Sequence, residues 1–451
     1  MHRVHKPKRI IAANRNQEPG LSDLCIPERI NPAGRSGDGR WPFDDPDTVQ
    51  INPIDTGIPV TQTRHKLFEP FAFAKGFTLR NRVAMAPMTT WAGDADGTVS
   101  DEEVAYYRRR VNGVGLVITG CTHVLPSGMG FTHEFASYDD SFVPSLRRLA
   151  EAAKSGGAPV VLQIFHAGNK AVPELVPGGE VVSASAITTE AAPFCPAVTP
   201  RALAHDEILD VVHAFGAATR RAIEAGFDGI ELHGAHGFLI QNFLSPWFNR
   251  RNDAWGGSLA NRMRFPLAVV QEVKRVIEAH AARPFLLGYR ISPDEPEEGG
   301  LRIHDTHVFV DMLVDSGIDY LHVSLGSVHE TKPVGGTGER TTAALIVERV
   351  GGRLPVIAAG QIRKPDQAAQ AIELGLSLVA VGQGLVMNPD WVEFAMRDLG
   401  ERIDTALSPS KVPHLAIPGK LWTVIEATTG WFKIQAEPQR NTAQMDVSLS
   451  A

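Results

Sequence analysis

Cysteine is scarce in this chain. Among 451 residues only Cys25, Cys121 and Cys195 occur. They are too few and too scattered for a disulfide framework, a four-thiolate zinc site or an iron–sulfur cluster held by this chain alone. A reducing, cytoplasmic setting is the expectation. Long apolar runs are missing too: none approaches the roughly 18 uncharged residues of a membrane-span candidate. The N-terminal stretch MHRVHKPKRIIAANRNQ lacks the apolar segment of about 7–15 residues that a secretory signal needs. Basic charge is not in excess either. Lys and Arg number 44 against 51 Asp and Glu, a formal charge of −7, which argues against a general nucleic-acid binder and confines any anion site to a local cluster. A small-molecule partner is expected, with no nucleic acid and no membrane, and the number of copies, a homo-oligomer included, is left open. The 43% hydrophobic and 21% charged residues match an ordinary globular composition with enough apolar material for a large core.

Residues 1–64 are rich in Pro, Gly, Asn and Asp without a sustained apolar period, so they read as a disordered or loosely packed extension. Organised sequence begins with a short hairpin over 66–79 and a strand over 82–87 that proline stops. A helix over 101–111, with Ser100 as N-cap, then leads to the apolar run 115–119. The same rhythm recurs with helices over 143–154, 206–225, 259–281, 306–315, 343–349 and 365–374. Strands follow over 159–164, 229–232, 285–289, 320–323, 355–358 and 378–381. Residues 170–201 form a Pro-rich connection, long enough to be a functional loop or covering flap. A covering segment follows Arg402, and 437–451 read as a flexible tail. Eight short strands alternating with helices imply parallel pairing through right-handed crossovers. No G-x-G-x-x-G follows the first strand, and eight strands close a barrel, so the expected class is α/β, a (β/α)8 TIM barrel over 65–436 carrying an N-terminal hairpin.

Reacting groups of such barrels come from the carboxyl ends of the strands. Gly360 and Gln361, with Gly382 and Gln383, follow the last two strands, where a phosphate is commonly held by backbone N–H groups; tight turns are the competing reading of the glycines. Arg290 ends its strand as a permanent cation, which needs either an acidic side chain or an anionic ligand. Gln163 can serve an imide-like ring edge or be a satisfied core amide. His233 and His236 in ELHGAHG can both donate to an oxygen that gains negative charge; a metal site would need at least a third ligand, for which Glu231 is a weak candidate, and no metal is expected.

These residues sit within LFEPFAF, NRVAMAPMTT, LQIFHAGNK, FDGIELHGAHGFLIQNFLSPWFNRRNDAWGGSLANRMRFP, GYRISPDE, AAGQI and VGQGL. The seven motifs run in order over about residues 66–399, and in them the chain resembles the Old Yellow Enzyme family of FMN-dependent oxidoreductases, in its NADH:flavin oxidoreductase and thermophilic ene-reductase branch. The resemblance implies FMN as cofactor and NADH or NADPH as hydride donor. It implies ping-pong transfer through flavin N5 to an activated alkene such as an enone or maleimide, a quinone or a nitro compound. It implies that Ala86, Pro87, Met88 and Thr89 pack and bond the flavin ring, that Cys121 lies beside it, that Gln163 binds its pyrimidine edge and that Arg290 sits near N1. Gly360, Gln361, Gly382 and Gln383 would surround the phosphate. His233 and His236 would be catalytic, holding the substrate oxygen, and Trp91 and Phe238 would line the substrate pocket.

Two positions depart from the family pattern. Phe238 stands where relatives have a proton-donating Tyr, and a phenyl ring has no proton to give; this keeps open a different FMN reaction such as dehydrogenation, demethylation or isomerisation. Gln383 stands where relatives commonly have a phosphate-binding Arg, so a charge-assisted contact is expected to be lost. Arg250, Arg251, Asp253 and Arg262 are expected to brace a loop.

Overall fold

Alternation along the short apolar runs gives each strand two different faces, and the sheet they form closes on itself. The computed structural model describes residues 66–192 and 194–436; the readings of 1–64 as an extension and of 437–451 as a tail lie outside the described residues. Strands β1 (Phe71–Ala72) and β2 (Thr78–Leu79) form an antiparallel hairpin. Then come β3 (Val83–Met85), β4 (Leu116–His123) and β5 (Val160–Phe165). The short pair β6 (Val182–Ser183) and β7 (Arg201–Ala202) lies within the long connection. The remaining strands are β8 (Gly229–Gly234), β9 (Leu286–Ile291), β10 (Tyr320–Ser324), β11 (Val356–Ala359) and β12 (Leu378–Val381). Strands β3, β4, β5, β8, β9, β10, β11 and β12 pair in that order and β12 returns to β3, so the barrel is closed as expected.

Successive side chains point to opposite faces of a strand, and the register sorts them. Ala84, Leu116, Ile118, Val161, Leu286, Tyr320, Ile357 and Leu378 pack together inside the barrel with Phe73 and Leu79 of the hairpin. Phe73 meets the Tyr320 ring at 6.0 Å, and Lys75 reaches the Phe285 carbonyl and Asp319 just before β9 and β10. The hairpin therefore closes the amino-terminal end of the barrel and leaves the other end as its mouth. Residues of opposite parity, including Val117, Leu162, Ile230, Leu287 and Val379, pack outward with the helical residues Leu146, Phe215, Phe309 and Ile346. Inside, size is matched across strands: Gly288 pairs with Tyr320, and a Cβ on Gly288 would lie 2.1 Å from the tyrosine ring, which a close-packed interior does not tolerate.

The helix expected over 259–281 is in fact two, Leu259–Arg262 and Arg264–His280. Pro266 has no N–H to offer the Arg262 carbonyl, so the chain breaks there. The Arg262 guanidinium instead donates to the Leu244 and Gly257 carbonyls, and Arg251 donates to those of Ala184 and Leu203 while pairing with Asp253. The polar run is loop bracing, as expected.

The helix Asp101–Arg110 begins with Ser100 accepting from the Glu103 N–H at 3.1 Å. The Glu103 side chain is buried and accepts the Thr90 hydroxyl at 2.5 Å, beside the mouth. Burial pushes its carboxyl up to about 7, against the opposing effects of the Thr90 bond and Arg110. Between the ordinary carboxylate range and that value the native chain holds a proton that the unfolded chain has lost, so the stability contribution is present at low pH and falls as pH rises through this window. Glu103→Gln should remove the dependence. Urea unfolding at about pH 5 and about pH 8 should show the variant gaining up to about 3 kcal/mol on the wild type between the two values; a constant difference would contradict the protonated state of Glu103.

Candidate functional site

The inward series of β9 runs from Leu286 through Gly288 to Arg290, passing from the apolar floor to the mouth. Arg290 is only 6% exposed. Its Nη2 donates to Ser324 Oγ at 3.0 Å, and its Nε is buried without a partner. Burial draws the guanidinium pKa below its ordinary value, while Glu231 opposes that shift from a distance. The salt-bridge reading fails: among the described residues Arg290 makes no ion pair, and its side-chain partner is a neutral hydroxyl. A buried cation left in that state is poised for an electronegative group from outside the chain.

Gln163 of β5 and Glu231 of β8 are register partners. Gln163 Nε2 donates to Glu231 Oε1 at 2.7 Å, and Glu231 Oε2 lies 3.0 Å from His322 Nδ1. Burial alone would raise the Glu231 pKa, but His322, Arg290 and Gln163 together hold it below the ordinary carboxylate value. The amide nitrogen of Gln163 is thus satisfied within the chain, and Glu231 faces Gln163 and His322 rather than the histidine pair. Among the described residues no group of three His, Cys, Asp or Glu side chains is placed to hold a metal ion.

His233 ends the inward series of β8 and is buried. Its Nδ1 accepts from the Ala235 N–H at 3.4 Å, which leaves the hydrogen of the neutral ring on Nε2 as a donor. Burial, reinforced by His236 and Arg290, drives its pKa well below the ordinary imidazole value, so the ring is neutral. His236 is exposed and sits 4.9 Å from it, centroid to centroid. His236 Nε2 lies 2.6 Å from Ser324 Oγ, and its carbonyl accepts from Lys170 Nζ at 2.6 Å. Ser324 therefore joins Arg290 to the histidine pair. The Phe238 ring packs 4.8 Å from His233 and 4.9 Å from Phe165.

Eight of the expected residues, Ala86, Pro87, Met88, Arg290, Gly360, Gln361, Gly382 and Gln383, line one cavity of about 400 Å³. His236 lines two further cavities, of about 660 and 410 Å³, and the latter shares Ser324, Leu325 and Gly326 with the first. Gly360 also meets a packing need, since a Cβ there would lie 2.7 Å from the Leu325 carbonyl. Thr89, Trp91, Cys121, Gln163, His233 and Phe238 do not line the first cavity. Thr89 Oγ1 is 3.7 Å from Cys121 Sγ, and burial pushes that thiol well above its ordinary pKa, so it stays protonated. Trp91 meets Trp431, which lines the cavity, at 5.8 Å. Trp91, His236 and Gln361 hold φ values of 50, 60 and 51°; such left-handed backbone is uncommon for non-glycine residues and gathers at functional sites.

Sequence reasoning missed four contributors. Ser324 was legible as the inward residue two positions beyond His322, once β10 was known. Lys170 and Arg363 follow strand ends but carry no periodic signal. Trp431 arrives from the far end of the chain, and nothing local announces it.

The chain matches the family described as NADH:flavin oxidoreductase / NADH oxidase over residues 66–401. It is 44% identical over 365 residues to the probable NADH-dependent flavin oxidoreductase YqiG of Bacillus subtilis (strain 168), an alignment covering 81% of this chain and 97% of that protein. It is 38% identical over 372 residues to the NADH:fumarate oxidoreductase of Klebsiella pneumoniae (strain 342), covering 81% of this chain and 40% of that longer protein. Its structure resembles that of the Old Yellow Enzyme homologue from Zymomonas mobilis, with a TM-score of 0.64 and 26% identity over 74% of this chain and 93% of the other. The chain accordingly belongs to the NADH:flavin oxidoreductase / NADH oxidase family, FMN-dependent oxidoreductases of Old Yellow Enzyme type that draw on a nicotinamide donor.

Proposed function

We propose that the barrel over 65–436 is the flavin-binding domain and that the enzyme transfers hydride from NADH or NADPH to a small electrophile: an activated alkene, a quinone or a nitro compound. The observation that carries this reading is the buried guanidinium of Arg290, with an orphaned Nε, in the same cavity as the glycines of the last two strands. That combination fits FMN, whose ring has an electron-rich edge and whose far end is an anion. FMN held there would supply two-electron exchange between a nicotinamide donor and the electrophile.

The chain's own residues then do the positioning. Arg290 holds a fixed positive charge at the ring edge in a low-dielectric site and stabilises negative charge that accumulates there. Ala86, Pro87, Met88 and Thr89 would pack one side of the ring, with the protonated Cys121 as a neighbour, while Gln163, its amide nitrogen held by Glu231, would offer its amide oxygen to the polar edge. Gly360, Gln361, Gly382 and Gln383 border the phosphate end. His233, neutral and with its hydrogen on Nε2, donates to the substrate oxygen, and His236, tied to Ser324, provides the second contact. Trp91 and Phe238 bound the substrate space. Because donor and acceptor use one mouth, they bind in turn and the kinetics are ping-pong.

Replacing His233 and His236 together with Ala should weaken binding of a phenol ligand, followed by its charge-transfer band, and slow enone turnover by roughly 100-fold or more while flavin stays bound. Unchanged turnover would remove the histidines from the mechanism.

A second reading keeps the flavin and changes the reaction, because Phe238 cannot protonate a substrate carbon. Phe238→Tyr separates the two. If the missing hydroxyl limits alkene reduction, steady-state enone reduction should rise by about 10-fold or more; an unaltered rate would mean that residue 238 does not limit proton delivery and would leave dehydrogenation, demethylation or isomerisation unsupported.

A further inference from the structure

A second guanidinium lines the cavity, at its glycine end. Arg363 lies beside Gly360, Gly382 and Gln383. Its Nη2 donates to Gln383 Oε1 at 2.7 Å, and Gln383 Nε2 in turn donates to the Trp431 carbonyl at 2.5 Å. Arg363 Nε is buried and has no partner. Its backbone is fixed on both sides: the N–H donates to Gln367 Oε1 at 2.9 Å, and the carbonyl accepts from Trp391 Nε1 at 2.7 Å. Arg349 and Arg353 pair with Asp311, and Arg109 pairs with Asp390. Arg363, by contrast, makes no ion pair among the described residues, and its side-chain partner is a neutral amide.

A partly desolvated guanidinium with free donor capacity, lining a glycine-bordered pocket, suits a phosphate, because its planar fork can donate to two oxygens at once. We propose that Arg363 is the phosphate-binding cation of this chain and that Gln383 is a positioning residue: its carbonyl oxygen holds the guanidinium in place, and its amide ties that arrangement to the C-terminal segment. The cation expected to be missing at position 383 is therefore supplied twenty positions earlier in the chain, and the contact that seemed lost is relocated. The proposal rests on the flavin reading above and goes beyond it by assigning which side chain selects the phosphorylated form of the flavin.

The test uses riboflavin, which has the ring and side chain of FMN without the phosphate. The full-length protein, stripped of flavin, is titrated with FMN and with riboflavin by fluorescence quenching. The wild type should prefer FMN. Arg363→Gln should raise the Kd for FMN by about 10- to 100-fold and leave that for riboflavin within about twofold, so the preference collapses; Arg363→Lys should restore part of it. Gln383→Leu should give a smaller loss, also confined to FMN, and it keeps the proposal testable should Arg363→Gln fold poorly. Equal weakening of both flavins, or an intact FMN preference in these variants, overturns the assignment to Arg363. A wild type that binds neither flavin overturns the flavin reading itself and the assignment with it.

Discussion

A guanidinium taken out of water without an anion beside it is the constraint around which this mouth is arranged. Arg290 is carried there by the strict alternation of β9, and among the described residues its side-chain partner is a serine hydroxyl. In a finished protein interior such a group would be a defect. In a site that receives an electron-rich ring it is half of an interaction whose other half arrives with the ligand. The layer below is complete by comparison. Glu231 is satisfied by Gln163 and His322, so the support is rigid where the rim is left open.

The barrel supplies this gradient through period-two geometry alone. Leu286, Gly288 and Arg290 on one strand, and Tyr320, His322 and Ser324 on the next, move from packing to chemistry in steps of two residues. The hairpin with Phe73 and Leu79 closes the floor, and so the polar layers face one opening. Ser324 then couples the two halves of the site, touching the arginine on one side and His236 on the other. Closure at the top uses a late segment of the chain, where Trp431 packs edge-on against Trp91 and its carbonyl is held by Gln383.

Much of the fold was legible because short apolar runs and helix caps are local signals. Ser100 capped its helix where expected, and eight strand-like runs closed as eight strands. The error at Met263 came from reading continuous apolar spacing through Pro266, whose missing donor matters more than the spacing. The site was legible at strand ends, where Arg290, His233 and the glycines stand. It was illegible where partners come from distant segments. Gln163 could be read as polar, but not that Glu231 would occupy its nitrogen. The loss at Gln383 could be read, but not the compensating position of Arg363, since that pairing depends on how two adjacent loops cross the barrel rim.

The proposed role of Arg290, setting the electrostatics of the bound ring, is measured directly by the midpoint potential of the flavin. Replacing Arg290 with Gln in the flavin-loaded protein should lower the potential by about 60 mV, equivalent to about 2.8 kcal/mol for a two-electron couple. A variant that retains its flavin at the wild-type potential would contradict the account.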